Sequence, residues 1–135
     1  MSVANNDLRL LMLVRHEKGC KKCDVRDLIQ KGANPVVQDP ANGLQPIHYS
    51  ARWGDIPVIE ALLEDKRVYA DAVDRRGKVP YEWADDFQHP KAEVLLLKAI
   101  ICNPKRYSLE SIREAQVHIA LKKELGHPIP DFHPA

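Results

Sequence analysis

Apolar residues along this chain come in short bursts, spaced three and four residues apart. Leu8, Leu10, Leu11, Met12 and Val14 form the first burst, and Val25, Leu28 and Ile29 the second. Ile59, Leu62 and Leu63 follow, then Leu96 and Leu97, and last Leu109, Ile112, Ala115, Ile119 and Ala120. Spacing of this kind gathers side chains on one face of an α-helix, and nowhere do apolar and polar residues alternate over a strand's length. Polar punctuation marks the ends. Asp7, Asp24, Asp55 and Ser108 stand where N-caps belong, and Pro46, Pro57, Pro80 and Pro90 fall in first turns, where a missing N–H goes unused. Gly32, Gly54 and Gly126 stand where helices stop. The pattern predicts a first helix from about Leu8 to His16, one following Asp24, two short helices after Pro46 and Asp55, two more opening at Pro80 and Pro90, and a last from Ser108 to Leu125.

The two middle pairs are copies of one another. Shifted by 34 positions, Gly43 falls on Gly77, Pro46 on Pro80, Ser50 on Ala84 and Leu62-Leu63 on Leu96-Leu97. A pair of eight-residue helices cannot bury its apolar face alone, because isolated helices that short are marginal. Stacked copies supply the missing surface, and a fixed period in this range marks a repeat protein.

Gly43, Pro46, Ile47 and His48, then Ser50-Ala51, Gly54 and Leu62-Leu63, resemble the signature of the ankyrin repeat: Gly-x-Thr-Pro-Leu-His, Ala-Ala, Gly, then Leu-Leu followed by Gly-Ala. Leu28-Ile29 and Gly32-Ala33-Asn34 resemble the end of a preceding copy, and Asp74, Gly77, Pro80, Ala84 and Leu96-Leu97 a following one. The resemblance implies an all-α stack of helix-turn-helix repeats, an α-solenoid with short finger connections. Its repeats would run about 8–38, 39–73 and 74–102, with a capping helix at about 108–125 and a single domain over 1–126. The three prolines after His127 predict an irregular tail over 127–135. Departures from the signature are Gln45 and Val79 in place of the capping threonine, Glu82 for the histidine, Glu93 for a valine of the second helix and Gln88 for a glycine.

Composition narrows the function classes. The chain has 135 residues and a formal net charge of +1, so no overall field draws it to nucleic acid or acidic membrane. The run from Leu8 to Val14 is too short to span a bilayer and the N-terminus has no basic leader. Three cysteines are an odd count and suit a reducing compartment, so an intracellular, cytoplasmic protein is expected, with a nuclear or delivered-effector location also compatible.

Chemistry-bearing residues are sparse. Cys20 and Cys23, with Lys21-Lys22 between them, read mainly as incidental thiols in an inter-helix loop; the alternative is a small redox pair or, with His16, part of a zinc site. His48 reads as a hydrogen-bonding link to backbone between repeats rather than a base, since no nucleophile is placed beside it. Asp85-Asp86 and Glu64-Asp65 read as solvated faces, and His89, His127 and His133 as scattered. Neither a cofactor nor a metal is expected, and the protein is expected not to be an enzyme. What the ankyrin resemblance implies instead is a concave face that grips another protein, and the basic residues Arg75, Arg76 and Lys78 suit a partner with an acidic segment. Carried over by position, its contacts are Leu44, Arg52 and Trp53 in the middle copy, then Arg75, Arg76, Lys78, Asp86 and Phe87. Aromatic residues and arginine are the types enriched at binding hot spots. A monomer is expected.

Overall fold

The structure, a computed structural model, describes residues 5–15 and 22–126, with the side chains of Lys22 and Cys23 left aside. Among these are seven helices: α1 (Asn5–Arg15), α2 (Lys22–Gln30), α3 (Pro46–Trp53), α4 (Ile56–Leu63), α5 (Pro80–Asp86), α6 (Pro90–Ile101) and α7 (Leu109–Glu124). None of the described residues is in a strand. The helices pair along the chain as α1–α2, α3–α4 and α5–α6. First helices stack on first helices (α1, α3, α5), second on second (α2, α4, α6), and α7 closes the row against α6. This is the all-α repeat stack that the 34-residue period predicts.

Of the leucines that carry the period, Leu62, Leu96 and Leu97 lie inward as it requires, and Leu63 is only partly buried. Leu10, Leu11, Ile47, Ile59, Leu62, Leu96, Leu97 and Ile100 are fully buried, and one continuous core cluster runs from Leu10 to Ala115. Pro46, Pro80 and Pro90 each open a helix. Gly54 ends α3 with φ of +67°, and a Cβ there would come within 2.5 Å of the His89 ring, so the stop also lets the next repeat approach.

Local details depart from the punctuation. α1 begins at Asn5, ahead of Asp7, because the Asp7 carboxylate is used elsewhere and accepts the Asn34 N–H at 2.6 Å. α2 begins at Lys22, which places Asp24 inside its first turn. Ser108 does cap α7, accepting the Ser111 N–H at 3.1 Å. In α7, Ile112 and Ala115 are buried as expected, but Leu109 and Ala120 point outward. Gln88 takes φ of +59° where the family has glycine.

The fingers between repeats are held by aspartates. Asp39 accepts the Ala41 N–H at 2.9 Å and the Tyr49 hydroxyl at 2.6 Å. Asp74 accepts the Arg76 N–H at 2.8 Å, the Lys78 N–H at 3.0 Å and the Trp83 indole N–H at 3.1 Å. Tyr49 and Trp83 are one period apart, so a first-helix aromatic locks the finger in both copies. Burial pushes both carboxyls up, but these donors, aided at Asp39 by Arg15 and Arg75, outweigh it and hold both below the usual range. His48 joins repeats as its position implied. Its Nδ1 accepts the Gln45 N–H at 3.0 Å, and its Nε2–H donates to the Ala72 carbonyl of the next finger at 2.8 Å. Burial holds this imidazole below its ordinary pKa and so neutral, the form that can both accept and donate.

Candidate partner-binding surface

The carboxyl ends of α3 and α5 lie side by side, and the period brings their aromatic residues together. Arg52, in the last turn of α3, sets its guanidinium carbon 5.2 Å from the Trp53 ring centroid and 5.0 Å from that of Phe87. Phe87 stacks on Trp83 with centroids 5.9 Å apart and planes 21° apart. The Lys78 ammonium sits 4.4 Å from the Trp83 ring and pairs with Asp86. Trp53, Arg52, Phe87, Trp83 and Lys78 thus make a continuous ladder of rings and cations across two repeats. Phe87 is 41% exposed, Arg52, Trp53, Lys78 and Trp83 are half-buried, and Asp86 is open to solvent.

Satisfaction of polar groups is uneven along this ladder. Trp83 has Asp74 for its indole N–H and Lys78 has Asp86. The Arg52 Nε and the Trp53 Nε1, both covered, have no hydrogen-bond partner, nor does the Gln45 side-chain oxygen. No carboxylate pairs with Arg52 among the described residues.

The other positions expected on this surface are distributed differently. Arg75 and Arg76 are exposed at the fingertip. Arg75 lies over Gly43, whose absent Cβ would come within 2.5 Å of it, and donates to the Pro40 carbonyl at 3.3 Å. Leu44 corrects the expectation: it is 5% exposed and belongs to the core. Its carbonyl accepts the Asp39 N–H at 2.8 Å and its own N–H donates to Asn42 Oδ1 at 3.0 Å, so the closed turn tucks the side chain inward. Trp83 was missed, although its place one period after Tyr49 was visible in the sequence.

A second cluster lies under the cap. Glu93, 2% exposed, meets His118 of α7 at 2.5 Å, and Lys122 of α7 pairs with Asp85 and lies 3.6 Å from Glu93. Burial pulls the Lys122 ammonium down, but bonding to Asp85 and the charges of Glu93 and Asp85 overcome this and hold it above its ordinary pKa. Asp85, Glu93 and His118 present ligand atoms within 4.8 Å of one another. The Lys122 ammonium supplies positive charge to both of those carboxylates. An open cleft of about 500 Å³ adjoins it, lined by Asp85, Gln88, His89, Pro90, Glu93, Lys122 and Leu125. The acidic pairs expected to be merely solvated are engaged: Asp85 with Lys122, Asp86 with Lys78, Glu64 with Arg26 and Asp65 with Arg67. His16, Cys20, His127 and His133 lie outside the described residues, and so does the Cys23 side chain.

No helix among the described residues is long and apolar enough to cross a membrane. No curated protein matches the chain. Residues 10–63, which span α1 to α4, match the family model for ankyrin repeats (many copies). Ankyrin repeats generally mediate protein–protein interaction and are typically not enzymes. With that match over α1 to α4, and with α5–α6 copying α3–α4 in sequence landmarks and packing, residues 10–63 are ankyrin repeats and the described chain is an all-α helical repeat stack that continues them.

Proposed function

We propose that this chain is a non-enzymatic interaction module, an adaptor, inhibitor or regulator, that grips a partner protein with the face formed by its first helices and fingertips. The observation carrying this reading is the ladder of Trp53, Arg52, Phe87, Trp83 and Lys78. Stacked rings and cations left at the surface of a two-repeat seam are the residue types and the arrangement that dominate binding energy at protein interfaces. Arg75 and Arg76 extend the same face with positive charge, which suits a partner carrying an acidic segment. Asp86 belongs to the patch through its pairing with Lys78. The working unit is one monomeric domain over 1–126, with repeats at about 8–38, 39–73 and 74–102 and α7 as its cap, acting inside the cell.

Affinity capture from the source cell tests the reading. Wild-type protein should retain a defined partner, and the Trp53→Ala/Arg76→Ala double variant should lose it while its thermal unfolding moves by only a few degrees. Retention of the same partner by a folded double variant would rule the face out.

A further inference from the structure

Resting on the reading of this face as the partner site, we infer that its anchor is Arg52, and that the group it receives is a carboxylate from an extended acidic segment of the partner. The inference deepens the general expectation of an acidic partner by moving its centre from the fingertip to the helix seam.

Three observations lead there. First, the fingertip is partly engaged: Arg75 is laid over Gly43 and bonds the Pro40 carbonyl, and Lys78 has Asp86. Second, Arg52 is a permanent cation held between two rings, with its Nε unpartnered and no carboxylate beside it among the described residues. The neighbouring Trp53 indole N–H is equally unpartnered. Two adjacent donors with no acceptor call for a ligand rich in acceptors, and the guanidinium fork matches a carboxylate through two parallel bonds. Third, the molecule contains a completed version of the same unit. Lys78 lies over the Trp83 ring and is closed by Asp86, while the Trp83 N–H is closed by Asp74. Arg52 stands one period before Asp86. The position that supplies the acid in one repeat therefore supplies a cation in the other, and the missing carboxylate must come from outside that unit. The Phe87 and Trp53 rings exclude water around the pair, which strengthens a charge-assisted bond formed there.

Nuclear magnetic resonance on the full chain tests this with a capped heptapeptide holding one glutamate between two leucines. The Trp53 indole N–H and the Arg52 Nε–H signals should shift together and saturate, while the Trp83 indole, already bonded to Asp74, should stay put. The same peptide with glutamine should bind at least about tenfold more weakly, and Arg52→Gln should cost the glutamate peptide a similar factor. Arg52→Lys, which keeps the charge and loses the fork, should fall between, and each variant's amide spectrum shows whether it is folded. Shifts confined to Arg75 and Arg76 would overturn the anchor and leave the face reading standing. No shift at either place with millimolar peptide, or equal binding to Arg52→Gln, overturns the anchor as well. A phosphoserine peptide binding tenfold better than the glutamate one would make the occupant a phosphorylated segment instead. If removing residues 127–135 alone moves the two signals, the acceptor is the chain's own Asp131, and the inference fails. The capture experiment with the Trp53→Ala/Arg76→Ala variant judges the face separately.

Discussion

Two seams of this stack treat charge in opposite ways. Under α7, Glu93 is buried but answered on both sides, by His118 and Lys122, with Asp85 completing the circuit. Between α3 and α5, Arg52 is held by rings rather than by ions, and nothing answers its charge among the described residues. A buried charge that is fully paired belongs to folding, because breaking it strands its partners. One that is positioned and left unanswered does little for folding and is available for binding. The contrast follows from place in the repeat series. Glu93 stands where the family has valine, and it faces a lone helix instead of another helix pair; the polar network adapts the last repeat to its cap.

The closed seam should break hardest. Glu93→Ala leaves His118 and Lys122 facing a buried void and should lower stability by about 3 kcal/mol in urea unfolding. Replacing the set together (Glu93→Val, His118→Leu, Lys122→Leu) should return stability to within about 1 kcal/mol of wild type. If the triple variant is as damaged as the single one, the network is more than a substitute for apolar packing.

Gly54 lies between the seams, one residue after Trp53 and against His89. Gly54→Ala imposes a left-handed backbone on alanine and a Cβ 2.5 Å from the His89 ring. A loss of about 2 kcal/mol, read as a lower unfolding temperature, is expected.

On the ladder side, Asp74→Asn weakens the bonds to the finger and to Trp83 and should cost about 1.5 kcal/mol at neutral pH. The Asp74 carboxyl is held below its ordinary value of 3.8 in the folded state. Its contribution is therefore complete above that value and is lost as pH falls through the lower folded one. Wild type and variant should converge in acid, and a gap that widened on acidification would contradict the assignment. The smallest effect is expected at Arg52. Arg52→Gln removes only the cation–ring contacts, under about 1 kcal/mol, while binding falls at least about tenfold.

Much of the fold was legible in the sequence because repeat punctuation is local. Pro46, Pro80 and Pro90 open helices, Gly54 stops one, and Leu62, Leu96 and Leu97 are buried, all from rules that act within a turn or two. Trp53 and Phe87 were placed near each other by the period alone. What escaped were contacts that depend on side-chain reach between elements. Asp85 looked solvated because Lys122 is far away in sequence, and Glu93 looked like a mere departure because its answer lies in α7. Leu44 misled because the turn at Asp39 closes through backbone bonds that no residue pattern displays. Asp7 was spent on Asn34 rather than on its own helix for the same reason.

The ladder also decides how this protein can be observed. The chain has two tryptophans, Trp53 and Trp83, and both stand on that one surface. One indole N–H is bonded to a carboxylate and the other has no partner, so the two emitters differ in environment at the outset. Intrinsic fluorescence is thus a built-in reporter of the α3–α5 seam. An arriving acid should alter the Trp53 emission directly, whereas release of α7 alone should leave the spectrum almost unchanged.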